Sequence, residues 1–291
     1  MLERKFSIIT PSLNQRAYIE DALHSVKNQA YLPVEHIVID GASTDGTVEV
    51  LRRYSNQPGW GHLRWISEPD RGQSDALNKG FRLASGEIIG WLNSDDCYRR
   101  ECFRSVAEAF ERNPAAHVLY GDYTWIDSSG AMLKVRREIE FNPFILLYHR
   151  VLPVPTPSAF FRRSIFDDGN FIDVQYHYSM DYEFFLRLVQ KGYRFQHLPQ
   201  VLADFRWQPE SKSSMYPGKQ IEERDLIVVQ YSSWLRQMPH GRLRSGLLGL
   251  LRSQAALLYW SQKFLRGYYF GSPSSRVLTA NTRFPEHSRT R

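Results

Sequence analysis

Cysteine is nearly missing from this chain of 291 residues: Cys97 and Cys102, five positions apart, are the only two. They have no CxxC or Cys/His ligand set beside them, which excludes a disulfide framework and a zinc site and fits a reducing compartment. The first residues, MLERKFSIITPS, reach only a few apolar or small positions before Pro11. That is too short for a signal-peptide core or a membrane span, so a cytoplasmic protein is expected. A G-x-G-x-x-G dinucleotide fingerprint and a P-loop lysine are missing, as is any internal repeat of fixed period. Neither sign of charge dominates: 37 Lys and Arg against 31 Asp and Glu leave a formal +6. That surplus suits phosphate groups, nucleic acid or an anionic membrane and selects none of them. Without a recognition motif or a basic-aromatic array, no nucleic-acid partner is expected.

What is present suffices for a large α/β domain, with 42% hydrophobic and 14% aromatic residues. Phe6–Thr10, Val34–Asp40, Leu63–Ser67 and Glu87–Leu92 read as short apolar strands. Helical spacing lies between them at Ile19, Ala22, Leu23 and Val26, at Val48 and Leu51, and over about Ser74 to Leu83. Strands alternating with helices imply parallel pairing with right-handed crossovers, and ligands then gather at the carboxyl ends of the strands. The second half is less regular. His117–Tyr120, Tyr123–Ile126 and Ser158–Phe161 are strand candidates, and Met180–Lys191 reads as an amphipathic helix.

Acidic residues punctuate this pattern at four stations: Asp40 and Asp45 in IDGASTDGT, Glu68 and Asp70 in EPDRGQSDALNKG, Asp95 and Asp96 in WLNSDD, and Asp181 in MDYEFFLRL. The first three follow strands, so one sheet edge would collect them. Carboxylates crowded together repel, and they persist only if a cation or a proton is shared among them. A divalent metal carrying a diphosphate is the natural candidate. Each station alone also has a plain structural reading. Asp beside Gly is ordinary turn chemistry, a lone DD pair can cap a helix read at Tyr98–Phe110, Asp181 can cap the helix it opens, and Arg71 can simply pair with an acidic neighbour.

FSIITPSLNQ, IDGASTDGT, EPDRGQSDALNKG with SGEIIGWLNSDD, and DVQYHYSMDYEFFLRL occur in that order over Phe6 to about Arg187. Together they resemble glycosyltransferase family 2, the inverting GT-A enzymes. The resemblance implies a Rossmann-like fold with a mixed, mostly parallel central sheet flanked by helices. It also implies a nucleotide-diphosphate sugar donor, UDP-, GDP- or dTDP-linked, a Mn2+ or Mg2+ ion, and a single-displacement transfer. By similarity the donor nucleotide falls to Thr10, Pro11, Ser12, Asn14, Asp40, Asp45, Asp70, Arg71, Asn78 and Asp95. The metal falls to Asp96, as direct ligand, and Asp95. Asp181 becomes the catalytic base. In WLNSDD, Asn93 stands where many members have the first Asp, which leaves the work to the two aspartates. Arg206 and Lys212 can clamp the diphosphate from a polar segment where the family often has a flexible covering loop. A QxxRW motif of processive synthases is missing, which favours a single transfer. The acceptor implied is a saccharide or lipid-linked saccharide of the cell envelope; a nucleotide-sugar-binding scaffold without turnover is the alternative.

The expected organisation is a GT-A domain over 1–215, a helical C-terminal appendage over 216–275 and a disordered tail over 276–291. Residues 242–269 combine Leu-rich helical spacing with Arg242, Arg244, Arg252, Lys263 and Arg266. Such a helix can lie on the inner face of an anionic membrane, or pack on the domain or on a second subunit of a homo-oligomer.

Overall fold

Hydrophobic runs bounded by turn chemistry build the first half much as the periodicity predicts. β1 (Phe6–Ser12), β2 (Val34–Asp40), β3 (Leu63–Ser67) and β4 (Ile88–Trp91) alternate with α1 (Ile19–Lys27), α2 (Thr47–Ser55) and α3 (Gln73–Leu83). The computed structural model describes residues 4–149, 151–208, 215–239 and 241–268. The expectations for Lys212 and for 276–291 lie outside them. β5 (Cys97–Tyr98), α4 (Cys102–Arg112), β6 (Val118–Ile126), β7 (Met132–Arg136), α5 (Pro143–Tyr148), β8 (Ala159–Arg162), α6 (Ser164–Asp167), α7 (Met180–Gln190) and β9 (Phe195–Arg206) follow. Three helices close the described chain: α8 (Pro217–Tyr231), α9 (Ser233–Gln237) and α10 (Arg242–Leu265).

The strands form one mixed sheet in the order β3-β2-β1-β4-β8-β6-β9-β5, with β7 on β6. β1 to β4 run parallel to one another, with Ser12 opposite Asp40 and Asp40 opposite Ser67. β8 reverses direction against both β4 and β6. Helices cover both faces. On one side Ile9, Trp91 and Phe161 pack with Phe184 and Phe185 of α7. On the other, Phe6 stacks on Phe103 of α4 at 4.7 Å. Gly80 lets α3 seat on β1, since a Cβ there would lie 2.2 Å from Ile9 Cγ2. Dense packing of this kind leaves no room for even one methyl.

Four differences from the sequence reading are local. β1 continues through Pro11 to Ser12 because its parallel ladder with β2 continues to Asp40. The two short candidates around Tyr120 and Tyr123 are one strand, β6, paired along its length with β9 across two register shifts. α4 starts at Cys102 because Cys97–Tyr98 pairs with β9. Residues 204–206, expected in a covering loop, end that same strand.

α8 to α10 share the main core: Ile227, Val228, Leu235 and Ala255 belong to the cluster that contains Ile9 and Trp91. Polar ties fix α10 as well. Tyr259 Oη donates to Glu138 Oε2 at 3.2 Å, Lys263 Nζ lies 3.7 Å from the same oxygen, and Arg266 donates to Glu140 Oε1 at 3.0 Å. Burial pushes the Glu138 carboxyl up to about 6, with Lys263 and Arg136 opposing the rise. The outward side of α10 carries Leu243, Leu250, Leu257 and Phe264 at seven-residue intervals, each more than half exposed. Among the described residues no helix is long and apolar enough to cross a membrane.

Candidate active site

A cleft of about 2510 Å³ opens at the carboxyl ends of β1 to β4. Its walls include Pro11–Tyr18, Asp45, Asp70, Asn93, Asp95, His177, Tyr178, Asp181 and Gln220. Acidic residues from all four sequence stations thus reach one cavity, through Asp45, Asp70, Asp95 and Asp181. Of the other expected site residues, Pro11, Ser12, Asn14 and Arg206 also line it.

The first wall is two interlocked loops. Asn14 Oδ1 accepts from Thr44 N–H at 3.0 Å, and Asn14 N–H donates to Ser43 Oγ at 2.7 Å. Asp45 accepts from the N–H groups of Arg16 and Thr47 and from the Thr47 hydroxyl, at 2.9, 3.0 and 2.6 Å. Burial opposes its ionisation, yet these hydrogen bonds hold the carboxyl below its ordinary value. The loop carries strain: Ala42 sits at φ 62°, a left-handed conformation that disfavours an L side chain by about 1–2 kcal/mol. Gly41 lets Asp70 approach closely, since a Cβ there would lie 2.7 Å from Asp70 Oδ2 and push that carboxylate aside. The Ser12 hydroxyl is buried without a hydrogen-bond partner, a group that a bound ligand can satisfy.

Five expected contacts do not reach the cleft. Thr10 is fully buried, with Oγ1 2.9 Å from His36 Nε2. Asp40 is also fully buried and spends both oxygens on Ser43 and on the Ser67 hydroxyl. These bonds make it a tie between the ends of β2 and β3. Asn78 donates to Ile172 O and accepts from Ile172 N–H, both at 2.8 Å, which pins the chain ahead of α7. Arg71 points outward, 3.4 Å from Asp75 Oδ1. Asp96, expected as the direct metal ligand, is 1% exposed. Its Oδ1 accepts from Arg206 N–H at 2.9 Å and its Oδ2 from Asn93 Nδ2 at 3.0 Å. The carboxylate on the cleft wall is Asp95, whose Oδ2 accepts from Gln208 Nε2 at 2.7 Å.

Burial raises the proton affinity of both aspartates, and at Asp96 the charge of Asp95 adds to it. A cation at this edge would relieve that repulsion. Among the described residues no three His, Cys, Asp or Glu side chains form a self-contained metal site. The donor set fits a hard divalent ion that takes one or two carboxylates and completes its shell with phosphate oxygens and water.

Arg206 differs from the clamp expected of it. Although it borders the cleft, it is 2% exposed and its guanidinium is spent on protein partners. Nε donates to Asp95 O at 2.9 Å, Nη1 to Asp127 O and Ser128 O at 3.1 Å each, and Nη2 to Asp21 Oδ2 at 2.9 Å. One guanidinium thereby ties the acidic loop to the β6–β7 turn and to α1. Asp181 sits in the first turn of α7, where Oδ1 accepts from Tyr182 N–H at 2.8 Å. Burial raises its proton affinity and Arg224 opposes the rise. Gln208 and Glu223, which touch Asp95 and the segment before Asp181, carry no motif of their own; they join the site only through pairings more than forty residues apart in sequence.

Comparison with known proteins agrees with this geometry. The sequence profile described as "Glycosyl transferase family 2" matches residues 7–169. TuaG of Bacillus subtilis, named for teichuronic acid biosynthesis, is 34% identical over 127 residues, 44% of this chain and 50% of its own length. The uncharacterized glycosyltransferase Rv1514c of Mycobacterium tuberculosis is 32% identical over 183 residues, 62% of this chain and 67% of its own. Among solved structures, S. aureus TarS 1-349 with UDP-GlcNAc superposes with a TM-score of 0.65 at 18% identity, covering 94% of this chain and 77% of that one. The mannosyltransferase PcManGT of Pyrobaculum calidifontis, with GDP-Man and Mn2+, gives 0.59 at 18% identity, covering 96% and 79%. These two establish a shared fold. The chain spans only half of TuaG, and its profile match ends before Asp181. With more than half of its residues inside that profile, this chain belongs to glycosyl transferase family 2.

Proposed function

We propose that this protein is an inverting glycosyltransferase that moves a sugar from a nucleoside-diphosphate sugar to a hydroxyl of a saccharide or lipid-linked saccharide. The observation that carries the reading is the convergence of Pro11–Asn14, Asp45, Asp70, Asp95 and Asp181 on one cleft. The presence of UDP-GlcNAc and of GDP-Man with Mn2+ in the two structural neighbours supports it.

In this reading the interlocked loops around Asn14 and Asp45 hold the nucleoside. Asp95 would hold Mn2+ or Mg2+, with Asp96 and Arg206 fixing its loop from behind. The ion, when bound, neutralises charge on the diphosphate. Asp181 takes the proton from the acceptor hydroxyl while the new bond from that oxygen to the anomeric carbon forms. The old carbon–oxygen bond breaks with its electron pair leaving on the nucleoside diphosphate, and the anomeric configuration inverts. Burial raises the proton affinity of Asp181, which makes its ionised carboxylate a stronger base.

The setting is envelope polysaccharide synthesis on the cytoplasmic face of the membrane. α10 is the part we assign to that membrane surface. Its apolar row faces outward, and the chain between Asp225 and Glu286 holds eight Lys and Arg and no acidic residue; Arg252, Lys263 and Arg266 pair with Asp225, Glu138 and Glu140, and the remaining basic surplus suits anionic lipid.

The test is a thermal-shift series with UDP-, GDP- and dTDP-sugars, with and without Mn2+. One donor is expected to stabilise the fold in a metal-dependent way. Release of its nucleoside diphosphate should then be lost in Asp181→Asn. No response to any donor would sink the reading, whereas donor binding without turnover would leave a binding protein.

A further inference from the structure

We propose that Glu223 of α8 is the positioning residue for Asp181: its carboxylate holds the backbone of 177–179 so that the first turn of α7 presents Asp181 to the cleft. This rests on the assignment of Asp181 as the base. Three successive main-chain N–H groups converge on Glu223. His177 N–H donates to Oε1 at 2.9 Å, Tyr178 N–H to Oε2 at 2.8 Å and Ser179 N–H to Oε2 at 2.5 Å. Consecutive N–H groups aimed at one point make an anion-binding concavity, and here the chain supplies its own anion. Charge-assisted bonds of this kind are stronger than neutral ones. The segment they fix ends at Ser179, the residue before α7, two positions ahead of Asp181.

The same face of α8 holds the segment at further points. Gln220 Nε2 donates to Tyr178 O at 3.1 Å, the Ser179 hydroxyl to Gln220 O at 3.2 Å, and the Tyr176 hydroxyl to Gln230 Oε1 at 2.6 Å. Gln220, Glu223 and Gln230 are spaced by three and seven residues, one stripe of a helix. Through that stripe, a helix beyond the part of the chain that matches the family profile sets the geometry of the catalytic half of the cleft. The donor half, built from β1, β2 and β4, makes none of these bonds.

Charge acts in the same place. Glu223 and Arg224 of α8 both act on Asp181 through charge; the first favours its protonated form and the second its ionised form. Within α7, Glu183 is held by Arg187 at 2.8 Å. Replacing Glu223 by glutamine removes one of the two opposing influences and puts an amide donor against N–H donors.

The experiment uses the full chain and the donor from the UDP-, GDP- and dTDP-sugar series that gives the largest thermal shift. Displacement of a catalytic group by about 1 Å can cost about 10²-fold in rate. Glu223→Gln should therefore lower kcat by about 10- to 100-fold while donor KM, donor-induced thermal shift and melting temperature without ligand stay at wild-type values. The acid limb of kcat should move to lower pH, and Glu223→Asp should recover part of the rate. Unchanged kcat in Glu223→Gln, with Asp181→Asn inactive, would overturn the proposal. So would loss of melting temperature and donor binding together with kcat, in either variant, because it would make Glu223 a brace of the fold alone. Full turnover by Asp181→Asn would instead overturn the base assignment and this proposal with it, a result read without any Glu223 variant.

Discussion

The main-chain N–H of Arg206 donates to Asp96 Oδ1 at 2.9 Å, and its side-chain Nε donates to the carbonyl of the neighbouring Asp95 at the same distance. Strand β9 thereby grips the acidic loop twice through one residue. Arg206→Met should leave the carbonyls of Asp95, Asp127 and Ser128 short of a donor and lower unfolding stability by about 1–3 kcal/mol. Urea denaturation would read this directly, and a midpoint within error of wild type would count against the latch.

The two aspartates should separate in function. Asp95→Asn is expected to abolish the Mn2+ dependence of donor-induced stabilisation and to leave the melting temperature near wild type, because it removes a desolvated charge from the cleft wall. Asp96→Asn should act on the fold first, since its new amide would face the Arg206 N–H or the Asn93 amide. Paired thermal melts with and without Mn2+ test both, and metal dependence that survives in Asp95→Asn would refute the assignment.

Asp181→Asn should reduce transfer by about 10²–10⁴-fold with donor affinity unchanged, the range in which a positioned base contributes. Comparison of turnover with donor titration measures this. A parallel loss of both would show that the residue serves binding or folding instead.

His36 gives a stability prediction with a definite sign. It is fully buried beside Thr10, and burial, assisted by His62, holds its proton affinity down at about 3 against an ordinary 6.5. Between those values the unfolded chain binds a proton that the folded one refuses. Stability from this group is complete above about 6.5 and falls as pH drops below it, by up to about 1.4 kcal/mol per unit. Glu138, pushed up to about 6 against an ordinary 4.5, works in the opposite direction over its shorter range. His36→Gln should remove this acid-side loss between pH 6.5 and 4.5 and leave the opposing slope of Glu138 uncovered, so that its urea midpoint rises relative to wild type as pH falls; an unchanged difference between the two profiles would exclude His36.

α10 predicts sedimentation with vesicles rich in phosphatidylglycerol and not with phosphatidylcholine alone, weakening as salt rises. Leu250→Glu with Leu257→Glu should abolish it and spare the core, because both side chains face outward. Retention of vesicle binding by that variant, or a soluble dimer that it dissolves, would argue against a lipid contact.

The parallel half of the fold was legible because each of its strands is a short apolar run closed by turn residues, and such runs declare themselves locally. β9 was not: FQHLPQVLADFR has a proline and no clean alternation, and it becomes a strand only through its long pairing with β6. The site divides in the same way. Asp45, Asp70, Asp95 and Asp181 could be placed because position after a strand or before a helix fixes where they point. Asp40, Asn78 and Asp96 stand in the same motifs but are turned into the protein by partners at Ser67, Ile172 and Arg206, which no local pattern records. Glu223 lies on a helix whose spacing says nothing of the backbone it will meet.

The polar knot of Glu138, Tyr259 and Lys263 beneath α10 also bears on how the molecule can be cut. Removing the last helix would strand an acidic side chain in an apolar setting and uncover Ala255's neighbours in the main core. Truncations ahead of residue 255 should therefore yield insoluble or partly melted material, and the catalytic half should lose its heat resistance in step with the terminal helix, as one cooperative unit.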